Sequence, residues 1–207
     1  MEIYSITTGV LSVNTYFVVN KITRDAILID GGQDYAAIKR KEKQLNVKIV
    51  AELLTHAHFD HSGNAHRLQK DGVIIYCSKP DAEKIENNQT LSQDFGREFD
   101  TFTCDKTLSD GDEIVIADIK IKVLLTAGHT DGSLCYIIGD TLFSGDTMFY
   151  ESFGRFDFPT GNFDELVSSF KKLFSLKENY RVLSGHGEET TLEHERKYNP
   201  LAGMIYD

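Results

Sequence analysis

The chain has 207 residues, of which 41% are hydrophobic, so it carries enough apolar material to bury a substantial core, and a single domain over 1–207 is expected. Its 22 Lys and Arg against 32 Asp and Glu leave a net charge of -10, which sets aside general attraction to nucleic-acid phosphates. No apolar run approaches the ~20 residues of a membrane span. Residues 1–5 lack the basic and apolar regions of a secretory leader, so a cytoplasmic protein with neither membrane nor nucleic-acid partner is expected. Three cysteines, Cys77, Cys104 and Cys135, make an odd total without paired spacing, and buried free thiols in a reducing compartment fit them best.

In chain order, residues 3–7, 15–19 and 26–29 read as strands punctuated by Gly9, Asn14, Asn20 and Asp25. Asp30-Gly31-Gly32 then suits a turn. A helix follows Asp34, with Tyr35, Ile38 and Leu45 on its apolar stripe and the basic run at 39–43 outward. The apolar run 49–54 is a strand that delivers Thr55-His56-Ala57-His58-Phe59-Asp60-His61. Residues two apart in an extended segment face the same way, so His56 and His58 converge on one point while Asp60 and His61 turn toward a second. Imidazole and carboxylate together make a metal-capable set.

Ser62 is placed to cap a short helix that buries Ala65 and Leu68 and stops at Asp71-Gly72. His66, on that helix, falls outside the tight cluster and reads as structural. A strand over 73–77 and a helix over 81–87 opened by Pro80 come next. The polar stretch 87–100, with Phe95 and Phe99, suits either a lid or a connector. Residues 113–116 and 119–125 alternate around Ala117-Asp118, as in a hairpin with one wet face.

The same plan then recurs, in that apolar strands end in Gly128-His129, in Gly145-Asp146 and in Gly185-His186. Between the last two, Asn162 and Glu165 form a capping-box pattern ahead of Phe163, Leu166, Val167, Phe170, Leu173 and Phe174 at helical spacing. A last helix begins near Thr191, carries a structural His194 and ends before Pro200.

His56, His58, Asp60, His61, His129, Asp146 and His186 resemble, in type, order and spacing, the ligand set of the metallo-β-lactamase superfamily. That resemblance implies an α/β fold, the four-layer αββα sandwich. It also implies two divalent metal ions, zinc first with iron or manganese as alternatives. His56, His58 and His129 would hold one ion, Asp60, His61 and His186 the other, and Asp146 would bridge them, with Asp30 bracing the ligand loop. Two such cations lower the pKa of a shared water from ~15.7 toward about 7. Asp60 has a second implied role, handling the proton of that hydroxide.

Departures narrow the reading. Metallo-β-lactamases usually place a cysteine where Asp146 stands, which disfavours antibiotic hydrolysis, and the RNA-processing members carry arms that this short acidic chain lacks. Closer resemblance is to short glyoxalase II proteins, through 126–133, 142–149 and Gly154-Arg155-Phe156-Asp157-Phe158. Ala127 and Asp131 stand where many members have proline, and only 21 residues follow His186, too few for a glutathione-gripping helical domain. Arg155 either binds a substrate carboxylate or pairs with Asp157. The leading expectation is therefore a hydrolase of small-molecule thioesters. An iron-dependent persulfide dioxygenase using His56, His129 and Asp146, a lactonase, and a metal-binding interaction module are the alternatives. The oligomeric state is left open.

Overall fold

The computed structural model describes residues 1–206. Strands β1 (Glu2–Thr8), β2 (Val13–Val19) and β3 (Asp25–Ile29) form an antiparallel meander. Helix α1 (Tyr35–Leu45) then crosses to β4 (Lys48–Leu53), which pairs parallel to β3. Asp34 caps α1 by accepting the Ala37 N–H at 2.9 Å, as its position before the apolar stripe requires. The short α2 (Phe59–Ser62) and α3 (Ala65–Lys70) lead into parallel β5 (Ile74–Ser78). After α4 (Lys79–Glu86) and an irregular stretch, β6 (Lys106–Leu108) completes a six-stranded sheet in chain order.

The second sheet is built from β7 (Glu113–Ile116), β8 (Ile119–Leu125), β9 (Leu134–Ile138) and β10 (Thr141–Gly145), all antiparallel. Ala117 and Asp118 both adopt positive φ, 51° and 58°, as a two-residue hairpin between β7 and β8 demands. A small ribbon, β11 (Met148–Phe149) with β12 (Ser152–Phe153), and helix α5 (Phe163–Phe174) intervene before β13 (Arg181–Ser184), which returns parallel to β10. β14 (Thr190–Thr191), α6 (Leu192–Tyr198) and α7 (Pro200–Tyr206) end the described chain.

Period-two alternation divides the core into three. Tyr16, Val18, Ile27 and Ile29 face Ile121, Val123, Tyr136 and Phe143 between the sheets. Their strand neighbours Phe17, Val19, Ala26 and Leu28 face outward under Ile38, Leu68 and Ile85 of α1, α3 and α4. On the far side, Leu124, Cys135 and Leu142 pack under Leu166, Phe170 and Leu173 of α5, with Leu192 and Leu201 behind them. Helices, sheet, sheet and helices are the four αββα layers expected.

Two local expectations need correction. Ser62 does not cap a helix: it ends α2, and its hydroxyl donates to the carbonyls of Ala57 (2.8 Å) and His58 (3.1 Å), folding the ligand loop back on itself. Asn64 takes the cap position of α3 instead. The helix from Leu192 stops before Pro200 as expected but is not the last. Asn199 is extended (φ -65°, ψ 137°), and Pro200 opens α7, where its missing N–H costs nothing. Among the described residues, no helix is long and apolar enough to cross a membrane.

Candidate metal centre

Every candidate ligand leaves the same end of a strand. β4 runs into His56 and His58, and α2 carries Asp60 and His61 in its single turn. β8 leads to His129, β10 to Asp146 and β13 to His186. Because β10 and β13 are parallel neighbours, their C-terminal ends open on the same edge, and the Gly185 N–H bonds the Gly145 carbonyl at 2.9 Å. Gly154 closes the turn behind Asp146, where a Cβ would stand 1.7 Å from the Asp146 carbonyl oxygen.

The seven side chains converge. Potential ligand atoms of His56, His58 and His129 lie within 4.8 Å of one another, as do those of His56, His61 and Asp146, and those of Asp60, His61 and His186. His58 Nδ1 is 2.9 Å from His129 Nε2, and His61 Nε2 is 3.3 Å from His186 Nε2. Asp146 spans the two halves: Oδ2 is 3.6 Å from His129 Nε2 and 3.5 Å from His186 Nε2, while Oδ1 is 3.4 Å from His61 Nε2. Asp60 Oδ2 lies 3.4 Å from His186 Nε2 and 3.5 Å from His61 Nε2.

The surroundings orient the rings. Asp30 accepts the Thr55 N–H (2.8 Å) on Oδ1, and on Oδ2 the Thr55 hydroxyl (2.7 Å) and His61 Nδ1–H (2.9 Å). Having given its proton to Asp30, the Thr55 hydroxyl can only accept from His56 Nδ1–H, 3.0 Å away. His129 Nδ1–H donates to the Arg155 carbonyl (2.7 Å) and His186 Nδ1–H to the Leu11 carbonyl (3.0 Å). Four imidazoles thus have their Nδ1 protons committed outward and Nε2 turned to the centre; on His61 and His186 burial is outweighed by the Asp146 and Asp60 carboxylates, which favour a second proton there that a cation would displace. His58 is reversed, with Nδ1 inward.

This donor set fits divalent cations. His56 Nε2 and Asp146 Oδ1 are buried with no hydrogen-bond partner, and His58 Nδ1 and His129 Nε2 share a hydrogen bond that a cation between them would replace. Burial, then the neighbouring imidazoles, holds His56 far below its ordinary value. Burial and His129 push His58 down to about 3, so both are neutral and ready to ligate. Burial opposes ionisation of Asp146, yet His61 and His186 outweigh it and keep that carboxyl well below the usual range. Mixed imidazole and carboxylate donors suit zinc, iron or manganese.

Other singled-out residues lie nearby or apart. Arg155 forks onto Asp157 through Nε (2.9 Å) and an Nη (2.8 Å) and lies over the Phe158 ring, 4.1 Å from its centroid. His66 pairs with Asp100 at 2.9 Å, and His194 with Glu151 at 2.9 Å; neither belongs to the cluster. The stretch 87–100 is a wall as well as a connector. Its Thr90 carbonyl accepts the Phe59 N–H at 2.9 Å, and Leu91 and Gln93 line a cavity of about 350 Å³ shared with His58 and Pro159.

Two buried acids went unanticipated. Asp81 Oδ2 accepts the Ala57 N–H (3.1 Å) and the Thr130 hydroxyl (3.0 Å), tying the His56–His58 loop to the His129 loop. Glu52 Oε1 accepts the Gly31 N–H at 2.6 Å beneath the Asp30 turn. A carboxylate inside the apolar run 49–54 was the available signal for Glu52; nothing in the spacing marked Asp81.

Comparison with known proteins agrees with this fold. The profile of the Metallo-beta-lactamase superfamily matches residues 8–186. Hydroxyacylglutathione hydrolase GloC of Haemophilus influenzae (strain ATCC 51907 / DSM 11121 / KW20 / Rd) is 35% identical over 187 residues, 86% of this chain and 87% of that one. The crystal structure of BLEG-1 B3 metallo-beta-lactamase superposes with a TM-score of 0.91 at 31% identity, covering 97% of this chain and 99% of the other. TTHA1623 in a di-iron-bound form gives 0.85 at 30% identity, covering 95% and 98%. The chain belongs to the metallo-beta-lactamase superfamily, a metallo-hydrolase family that binds divalent metal ions, and within it resembles glyoxalase II.

Proposed function

We propose that the protein is a binuclear metal-dependent hydrolase that cleaves a small-molecule thioester to an acid and a free thiol. The observation that carries this reading is the convergence of seven donors with four Nδ1 protons committed outward. His56, His58 and His129 would hold one ion, Asp60, His61 and His186 a second, and Asp146 would serve both. Bound there, divalent ions supply a water acidic enough to act as nucleophile near neutral pH and polarise the scissile carbonyl. Zinc is the first expectation, and the di-iron form of TTHA1623 makes iron the next.

The chain's own groups have separable roles. Asp60 is held below its ordinary value: burial opposes ionisation, while His61 and His186 favour it, so the carboxylate is available to take the proton of an incoming water. In the hydrolysis the C–S bond breaks, a C–O bond forms and the departing sulfur takes a proton. Arg155 lies beside the cluster through its backbone carbonyl on His129, and its exposed guanidinium can exchange Asp157 for a substrate carboxylate. The relative GloC, by its name a hydroxyacylglutathione hydrolase, supports the thioester class. The single-domain and cytoplasmic expectations complete the proposal.

Elemental analysis of freshly purified protein, followed on the same sample by anaerobic hydrolysis of an S-lactoylated thiol, tests it. Two metals per chain with turnover that a chelator abolishes is the expected result. A second reading, the iron-dependent persulfide dioxygenase, is favoured by Gly154-Arg155-Phe156-Asp157-Phe158. One iron per chain, no hydrolysis, and oxygen uptake on adding glutathione persulfide would replace the first reading with it. A β-lactam belongs among the comparison substrates because of BLEG-1.

A further inference from the structure

Away from the metal cluster, the outer face of the first sheet brings two thiols together. Cys77 lies in β5, fully buried, and Cys104 in the segment that leads into β6. Their sulfurs are 2.7 Å apart although the residues are 27 positions apart in sequence. Three hydrogen bonds hold the Cys104 segment, two against β5 and one against α3. The Asp105 N–H donates to the Ile75 carbonyl (3.0 Å), the Ile75 N–H donates to Asp105 Oδ2 (2.8 Å), and Gln69 Nε2 donates to the Thr103 carbonyl (2.8 Å). One backbone bond and two side-chain bonds, on the residues that flank Cys104, thus hold it beside Cys77.

The pair is also reachable from one side. Cys104 lines a groove of about 720 Å³ together with His66, Gln69, Phe99 and Asp100, and is 9% exposed, whereas Cys77 is 0% exposed behind it. Cys135 provides the contrast: it is equally buried, but its sulfur meets the Thr126 hydroxyl (3.2 Å) and the Ser144 carbonyl (3.5 Å).

We propose that Cys77 and Cys104 are a redox-active dithiol that a hydroperoxide closes to an intrachain disulfide, with Cys104 the sulfur first oxidised. In the first step the Cys104 sulfur attacks one peroxide oxygen, the O–O bond breaks, and the products are a sulfenic acid and water (or an alcohol). In the second, the Cys77 sulfur attacks Cys104, the S–O bond breaks, and the hydroxyl leaves with the Cys77 proton as water. Two thiols lose two electrons in all and the peroxide gains them. The required S–S bond of about 2.05 Å needs only a short further approach of the sulfurs. The closed ring contains α4 and the stretch 87–100, and so the Leu91 and Gln93 wall of the cavity beside His58.

The test takes the full chain, exposes it to a small excess of hydrogen peroxide, blocks remaining thiols with N-ethylmaleimide and maps peptides by mass spectrometry without reduction. The expected result is one peptide pair joined through Cys77 and Cys104, two hydrogens lighter than the reduced pair and separated by dithiothreitol. Cys135 should be alkylated only after denaturation. The melting temperature of the oxidised wild type should rise on the order of 5–10 °C, a rise absent from Cys104→Ser treated in parallel. Recovery of Cys104 as sulfinic or sulfonic acid with Cys77 still alkylatable would overturn the proposal. So would a link that appears only between two chains. Because the readout is a peptide mass and not turnover, it is independent of the hydrolase reading.

Discussion

The Asp30 carboxylate and the His61 imidazole are joined at 2.9 Å, Oδ2 to Nδ1, and the same carboxylate holds Thr55 by both its N–H and its hydroxyl. One residue thereby sets the direction of His61 and, through Thr55, of His56. Asp30 sits at φ 53°, a conformation that Asn also tolerates. Asp30→Asn should therefore keep the turn while turning an amide toward His61 Nδ1. That favours the tautomer whose proton blocks Nε2. A loss of about 10–100-fold in metal affinity is expected, read as a fall below two metals per chain in equilibrium dialysis, with the circular dichroism spectrum unchanged.

Glu52 supplies a pH-dependence that belongs to the fold. Burial, reinforced by the charge of Asp30 and opposed by the Gly31 N–H, pushes its carboxyl from 4.5 up to about 8. Between those values the folded chain retains a proton that the unfolded chain has lost. Unfolding free energy must then fall as pH rises through that window, and level off above it. Glu52→Gln copies the protonated acid in shape and hydrogen bonding and removes the titration. The variant should match the wild type near pH 5 and exceed it increasingly up to about pH 8, in urea unfolding across a pH series. Because the metal-binding groups titrate in both proteins, the difference between the two curves isolates Glu52. A constant difference would contradict the account.

The candidate donors were legible because each follows an apolar strand and stands within two residues of glycine or a second donor, a pattern that local propensity and hydrophobic patterning both express. The four layers were legible for the same reason, since alternation along β2, β3 and β8 assigns each side chain to one face. What escaped was information held in tertiary partners. Ser62 looks like a helix cap by type, but the carbonyls of Ala57 and His58 take its proton. Asp81 looks like a first-turn acid of α4, yet it is fully buried because Ala57 and Thr130 come to it from segments distant in sequence. Pro200 reads as a stop and also serves as a start.

Lys84 and Asp81 are a buried ion pair at the centre of that network. The Lys84 ammonium is 3.0 Å from Asp81 Oδ1, bonds Asp131 as well, and is largely covered, while Asp81 is wholly so. Burial raises the Asp81 carboxyl and the lysine works against that shift. Lys84→Met strands a charge between the two loops that present His56, His58 and His129. It should cost about 3–5 kcal/mol of stability. The double variant Asp81→Asn with Lys84→Met should cost less than the sum of the single changes, since the two residues share one interaction. Chemical denaturation of the four proteins gives the coupling directly; strict additivity would show that the pair is not a unit.

Gly185 separates site occupancy from folding. A Cβ built there would stand 2.2 Å from Asp146 Oδ1 and 2.7 Å from His61 Cε1, whereas its nearest backbone neighbour, the Gly145 carbonyl carbon, is 3.2 Å away. The methyl group of Gly185→Ala therefore meets two candidate ligands before it meets the scaffold. Asp146 can yield by rotating, but the rotation takes Oδ1 away from His61 and Oδ2 away from His129 and His186. Since Asp146 is the group that reaches both halves, the variant should lose at least one metal per chain and about 100-fold or more in turnover, the scale on which a misplacement near 1 Å acts. Its metal-free melting temperature should stay close to that of the metal-free wild type. Full occupancy with unchanged turnover would remove Asp146 from the proposed shared position.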